Sequence, residues 1–598
     1  MYKKFARGIA FLVSVLMLLS LFACGGDQKD KANETSAAGA QTSMADGASA
    51  GTSKVKEPPV TLTVMGFATN PDGTGPMDNP VAKLIEEETG VIMDLISTTE
   101  QDAQKQLPTF IASNDLPDLF FIPETDTKKY IDMMVKGGQI KPLDDMMSQY
   151  APNLMSDKMA QASIELKKLT LSPDGKLYTI GMGRGTFDSG LQPVVGQFIR
   201  WDLYKQLGYP EMKSYDTDLL NVLAEMQKLE PKNNEGQKVY AVGAWFGDSQ
   251  GWGDWHITYN LAYAEGYNCL TPGDRILYSD IATNKVVPSN AQKDKNSLFW
   301  RQAKWYNKAR QMGILDPDSF TQKADQYEQK VKTGRYLFFN PGWFTDKADK
   351  YFEDAGQPDK GFTCLPPIGT DKFTLYRYFI SGQSNYGISS NCKYPEKALG
   401  LLDWLSSYKA AVIGYNGPEG TNWNMENGKP VPTDEYLKAD RSSIDFQKTG
   451  VGVLDHMLGY CYATVDPSTG VPVQLTYSEK GMASQIKPYH KDMLAHFGAA
   501  SMPELYESKA PGGSKDMTLY NLGSLPDDLA ALDTKLQAYE FKNIFKCILA
   551  KDDAEFSKLQ DEYIKGLDAF KIDDIYNYWT SVAQKQEKEL APVLDLIK

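Results

Sequence analysis

Residues 60–96 narrow what this chain can become more than any other stretch. Val60-Thr61-Leu62-Thr63-Val64 alternates apolar and polar residues, as a half-buried strand does. A loop rich in Gly, Pro and Asn runs from Gly66 to Asp78. Asn79 then caps a helix with Pro80 in its first turn, Val81, Leu84 and Ile85 on one face, and Thr89-Gly90 as the stop. Val91 to Ile96 reads as a second strand. Strand, helix and strand at this spacing predict a parallel βαβ unit, and so an α/β fold. The pattern continues with a helix over Gln104–Ser113, a break at Asn114-Asp115 and the apolar strand Leu119–Ile122. Ligands of open α/β sheets sit at the carboxyl ends of the strands. Phe67 and Asn70 in the first loop, and Glu124 after the third strand, are therefore candidate contacts.

The N-terminal residues bear on compartment. Lys3, Lys4 and Arg7 precede an apolar run from Ile9 to Phe22, short for a membrane span and suited to a signal peptide over residues 1–23. Leu21-Phe22-Ala23-Cys24-Gly25 resembles the bacterial lipobox, which implies a thioether-linked diacylglycerol on Cys24, usually joined by an N-acyl chain. At about 0.8 kcal/mol per buried CH₂, such an anchor holds a chain at a membrane. Residues 24–59 are Ala/Gly/Ser/Thr-rich without apolar periodicity, the composition of a disordered tether. The expected location is the extracytoplasmic face of the cell membrane, held by lipid alone. Loss of the three signal-peptide cations takes the formal charge from −14 to −17. That balance argues against nucleic acid or an anionic membrane surface as partner.

Chemistry-bearing motifs are sparse. The four histidines, His256, His456, His490 and His496, have no metal-ligand spacing, and neither a CxxC pair nor a phosphate-binding loop occurs. No cofactor, metal or catalytic residue is expected. Besides Cys24, the widely spaced Cys269, Cys364, Cys392, Cys461 and Cys547 give no disulfide framework and are read as buried thiols. Gly181, Gly183 and Gly185 have the wrong interval for a dinucleotide loop and read as a flexible crossing. Farther on, Leu298, Trp305, Ala309 and Met312 share a helical face, a strand over Tyr336–Phe339 leads into Asn340-Pro-Gly-Trp343-Phe344, and Phe556, Leu559, Tyr563, Leu567 and Phe570 mark an amphipathic helix.

Four ordered stretches resemble the extracellular solute-binding proteins of ABC importers, in their large carbohydrate-type lipoprotein branch. They are Val60–Gly66 with Glu86-Glu-Glu-Thr-Gly-Val91; Ile111-Ala-Ser-Asn-Asp-Leu-Pro-Asp118 with Ile140-Lys-Pro-Leu143 and Tyr150-Ala-Pro-Asn153; Arg200-Trp-Asp-Leu203 with Leu207-Gly208; and Gly313-Ile-Leu-Asp-Pro317 with Lys332-Thr-Gly-Arg335 and Glu419-Gly420 to Gly428-Lys-Pro430. The resemblance implies a two-lobed, type II periplasmic-binding-protein-like fold with a hinge and an interlobe cleft. Its expected parts are lobe 1 over 60–186, lobe 2 over 187–374, a lobe 1 return over 375–440, and a mainly helical 441–598 packed on lobe 2 and the hinge. Crossings are expected near Arg184–Val194 and Phe373–Tyr386.

The implied role is a lipid-anchored, monomeric, non-enzymatic substrate-binding component that captures an oligosaccharide by hinge closure and delivers it to permease subunits. A surface-anchored glycoside hydrolase, needing two carboxylates across a cleft, and a peptide or amino-sugar binder of the same fold stay open as alternatives. Sugars call for aromatic plates with polar rims. Trp245, Trp252 and Trp255, with Asp254, form one candidate group. Trp343 lies in a stretch similar to the strand-then-GPW loop of maltodextrin-type binders, with Pro and Gly reversed. Trp423 with Glu419, and Arg377 at the return crossing, complete the set; core packing competes for each Trp. Some relatives carry a calcium loop where this chain has Glu230-Pro-Lys232-Asn-Asn234-Glu-Gly236, and Lys232 there opposes a divalent cation.

Overall fold

The structure, a computed structural model of the 598-residue chain, describes residues 58–596 except 69, 71–72, 125, 187–191, 194, 249–252, 254, 271–274, 442, 511–513, 517–519 and 521. Cys24, the signal peptide and nearly all of the expected tether lie outside the described residues.

The first βαβ unit forms where its residues dictate. The Asn79 side chain accepts the Ala82 N–H at 2.9 Å, capping the helix Pro80–Thr89. Gly90 ends the helix at φ 68°, a left-handed position that disfavours a Cβ. Strands Val60–Phe67 and Val91–Thr98 pair in parallel, Val60 opposite Val91 through Phe67 opposite Thr98. The helix Glu100–Ser113 starts four residues earlier than expected because the Thr99 hydroxyl accepts the Asp102 N–H and caps it. Leu119–Ile122 is buried at every position, since it runs parallel to Val60–Phe67 on one side and antiparallel to Ser384–Ile388 on the other. Thr179–Met182 completes the sheet beyond Ser384–Ile388. Each fully buried aliphatic side chain contributes roughly 1.5–3 kcal/mol.

A second, separate core surrounds a sheet ordered Phe362–Cys364, Val195–Arg200, Tyr336–Pro341, Tyr240–Val242. Helix Leu298–Gln311 inserts Phe299, Trp300, Trp305, Tyr306 and Ala309 into it. Met312, expected on that face, falls past the helix end and is exposed. Helices Asp527–Ile548 and Asp553–Gly566 add Leu536, Ile544, Phe556 and Tyr563.

Core membership changes three times along the chain: between Met182 and Phe198, between Phe373 and Tyr386, and between Leu475 and Tyr489. The first core thus runs on to Leu475, past the expected return boundary at 440. Val451, Leu454, Met457 and Leu458 lie in a segment with neither helical nor strand period, yet they pack in the first core beside Gly66. The first two crossings pair as a ribbon, Gly185–Thr186 antiparallel to Thr374–Phe379, which also runs parallel to Ser514–Asp516.

The crossing at 181–185, expected to be flexible, is fastened instead. The Gly183 and Arg184 N–H groups donate to Leu458 O at 2.7 Å and Gly459 O at 2.9 Å, and Arg184 O accepts the Cys461 N–H at 2.7 Å. Gly185 sits at φ 90°, and an added Cβ would lie 2.2 Å from Thr464 Oγ1, so no side chain fits there. All five of the later cysteines are buried free thiols, as read.

Candidate functional site

The parallel strands of the first lobe end together at Phe67, Thr98 and Ile122. There the Phe67 ring, half-buried, lies flat on His456, with centroids 3.9 Å apart and planes 5° from parallel. Phe121 backs it at 5.3 Å, and Tyr386 backs Phe121 at 5.8 Å. The Phe67 N–H donates to the Tyr386 hydroxyl at 3.1 Å, which fixes the plate's root. Asn70, the second expected contact in this loop, donates its N–H to Ser97 Oγ at 2.9 Å.

Beside the plate, the Asp455 carboxylate accepts the His456 N–H at 2.8 Å and stands 3.9 Å from His456 Nε2. Asp455 keeps 49% of its side-chain surface exposed, yet desolvation by the protein around it raises its pKa above the ordinary carboxylate value. Glu124 is exposed after the third strand, its N–H donating to Glu100 Oε2 at 3.2 Å. His456 and Asp455 are functional candidates that sequence reading missed. They lie almost 390 residues from Phe67, and only the first core's late return brings them there.

In the second lobe, strands Tyr240–Val242 and Tyr336–Pro341 are parallel, so their carboxyl ends share an edge. Trp343 follows the second of these in the short turn Gly342–Phe344 and is 45% exposed, while its neighbour Phe344 is buried. The turn thus splits two adjacent aromatics between core and solvent. Trp245, three residues past the other strand, goes the opposite way. It is buried, edge-on to His256 at 4.1 Å and to Tyr327 at 4.8 Å, so it anchors its loop rather than offering a plate. Trp252 and Asp254 lie outside the described residues, as does the side chain of Trp255, whose backbone opens the helix Trp255–Thr258.

Two further expectations separate from this region. Trp423 is buried in the first core and donates its Nε1–H to Gly417 O at 2.9 Å, because the hairpin Trp423–Glu426/Lys429–Pro432 turns the ring inward. Trp423 is therefore corrected to a packing residue. Glu419 is exposed on the turn leading into that hairpin. Arg377 stands opposite Asp516 in the crossing ribbon, and its side chain lies outside the described residues.

Two buried cations lie where the chain leaves and re-enters the first lobe. Arg184 is fully buried, donates Nη1 to Gly181 O and lies over the Tyr460 ring at 5.1 Å, while its Nε and Nη2 reach no hydrogen-bond partner among the described residues. Lys167 donates to Asn385 Oδ1, and burial, with the Arg184 charge adding to it, pushes its amine down to about 7.

In the Glu230–Gly236 loop, cationic side chains occupy the Glu230 oxygens. Glu230 accepts Arg200 Nη1 at 2.9 Å and Lys360 Nζ at 2.9 Å. Burial alone would raise its carboxyl, but the Arg200 guanidinium holds it below the usual range. Asn233 turns its side chain to Gln237 and Thr333 O. No group of three or more His, Cys, Asp or Glu able to hold a metal ion occurs among the described residues.

Comparison with known proteins adds to this geometry. The profile of the bacterial extracellular solute-binding protein family matches residues 70–412, more than half of the chain. Among solved structures, an HMO-binding ABC-transporter-associated solute-binding protein from Bifidobacterium longum infantis superposes with a TM-score of 0.62 at 16% identity, covering 88% of this chain and 99% of its own. An extracellular solute-binding protein from Bifidobacterium longum subsp. infantis gives 0.60 at 16% identity, over 90% of this chain and 100% of its own. The S. pneumoniae ABC-transporter substrate-binding protein FusA, in complex with kestose, gives 0.56 at 16% identity, over 89% and 100%. No curated protein matches the chain. At these identities the likeness speaks for the fold, an α/β two-lobed architecture.

Proposed function

The chain belongs to the bacterial extracellular solute-binding proteins, and from that membership we propose that it captures an oligosaccharide outside the cytoplasm and hands it to the permease subunits of an ABC importer. The observation that carries the sugar is the pair of aromatic surfaces at the strand ends of the two lobes: the Phe67–His456 stack in one and the exposed Trp343 in the other. Such faces suit the C–H surface of a pyranose. Asp455, Glu124 and Asn70 supply polar groups around the first face, and Trp252, Trp255, Asp254 and Arg377 remain proposed contributors. Solved neighbours of the same fold are described as binding HMO and kestose, in keeping with a glycan ligand. Ligand touching both lobes favours whichever hinge angle brings the faces together, so capture is a shift of the open–closed equilibrium.

We further propose that the chain acts as a monomer tethered by a lipid on Cys24, on the strength of the motif around that residue. Loss of acyl labelling in C24A tests the anchor. The ligand class is tested by thermal shift of the protein across an oligosaccharide library, with the mixtures analysed for cleavage. Saturable stabilisation without turnover, weakened in F67A and in H456A, is the expected result. Release of shorter sugars would install the hydrolase reading instead, and stabilisation by peptides alone would discard the glycan.

A further inference from the structure

The last helix, Ile572–Leu596, belongs to two places at once. Ile572, Ile575, Trp579 and Ala583 are buried in the second lobe's core. Tyr578 adds a hydrogen bond from its hydroxyl to Ser524 O at 3.0 Å. From Ala583 to Val593 the helix advances about 15 Å, and there Leu590 and Val593 enter a different apolar cluster. Their partners are Ala162 and Leu166 of helix Lys158–Thr170, and Ile380 just after the crossing strand. Helix Lys158–Thr170 is itself part of the first lobe, since Ala160 and Ile164 lie in that core. Its remaining face is tied to the second crossing, with Ser163 Oγ donating to Ser381 O at 2.9 Å and Lys167 donating to Asn385 Oδ1.

We infer that the C-terminal helix is an interlobe brace: a rod rooted in the second lobe whose tip, Leu590 and Val593, bears on helix Lys158–Thr170 of the first and limits how the lobes turn about the crossings. The three crossings supply covalent continuity and the ribbon supplies a pivot. Those contacts lie on the crossings themselves, whereas the tip of the last helix bears on a helix of the first lobe. The tip thus adds an interlobe contact beyond the chain's own crossings, packing on helix Lys158–Thr170 as well as beside the ribbon at Ile380 and Tyr378. Close-packed apolar surfaces do not stretch; they stay engaged or they part. The brace therefore gives the hinge a preferred angle, and none of the residues that set it belongs to the Phe67 or Trp343 face.

The test reads interlobe distance directly. Spin labels are placed at K105C and K213C, exposed positions of the first and second lobe, in a chain also carrying C24S; the remaining native thiols are buried. L590D/V593D is expected to broaden the distance distribution about twofold as the tip leaves its seat. The milder L590A/V593A broadens it in the same sense, whereas L590M/V593I keeps the parent width. An unchanged width in L590A/V593A with native helix content overturns the brace, including when the aspartate variant fails to fold. Broadening in L590M/V593I equal to that in L590A/V593A overturns it as well, because the packing would not be what holds the angle.

Discussion

Asp349 offers the sharpest test of how the Trp343 face is held. It lies in the helix Thr345–Asp354 that follows Trp343, is 7% exposed, and accepts the Phe362 N–H at 3.1 Å and the Tyr489 hydroxyl at 2.5 Å. It thereby ties that helix to the edge strand and to the segment arriving from the third crossing. Burial raises its carboxyl from an ordinary 3.8 to about 7. A carboxyl raised in the folded state contributes stability that is complete below its unfolded pKa and lost as pH rises through the folded one. At 1.36 kcal/mol per tenfold change in proton affinity, that loss amounts to roughly 4 kcal/mol between pH 4 and pH 8.

D349N cannot ionise and escapes the loss. Its stability relative to the parent should rise by roughly that 4 kcal/mol across the same range, measured by urea unfolding at closely spaced pH. His256 and His490, pushed down by burial to about 3 and about 4, change stability in the opposite sense as pH falls below their unfolded values. Both are present in parent and variant, so the difference removes them. A difference between the two chains that stays flat from pH 4 to pH 8 would refute the reasoning that Asp349 is desolvated in the folded state.

The two tryptophans at Gly/Pro loops should separate cleanly. W343A should weaken oligosaccharide affinity about tenfold by calorimetry while leaving thermal stability nearly unchanged, because an exposed ring packs little. W423F should do the reverse, costing about 1–2 kcal/mol of stability through the lost bond to Gly417 O with affinity intact. R200M should cost about 3–5 kcal/mol in urea unfolding, since it strips a fully buried cation from Asp202 and Glu230. Calcium and chelator should leave the parent's melting temperature unchanged, as the Glu230 oxygens are already engaged by Arg200 and Lys360; a calcium-dependent rise would refute that substitution of cation for metal.

What the sequence disclosed follows from the range over which each signal acts. The cap at Asn79, the stop at Gly90 and the strand on either side are decided within a dozen residues, so the βαβ unit was legible to within a few positions. Arg200-Trp-Asp and Glu230 were legible only as motif fragments; their ion pair depends on a fold that sets the end of strand Val195–Arg200 beside the end of helix Asp218–Leu229. The tryptophans show where local reading ends. Trp343 and Trp423 both follow Gly and Pro, and both neighbours' chemistry permits an exposed ring. The difference lies in which residue fills the core at that turn: Phe344 takes the buried place beside Trp343, and no second aromatic does so beside Trp423.

His456 is a harder case, because its segment has no period at all. Val451-Gly-Val-Leu454-Asp-His-Met457-Leu458 gains its conformation from what it packs on, Met457 against Gly66 and the backbone against the first crossing. A plate made of Phe67 and a histidine some 390 residues later has a physical consequence. Its two rings are delivered by different passes of the chain through one lobe, and the later pass also bonds Gly183 and Arg184 at the pivot. Any solute that wedges against that face pushes on the same segment that seats the hinge. If that face is the proposed ligand contact, solute and hinge are mechanically continuous through residues 455–461, without any element having to carry a signal between them.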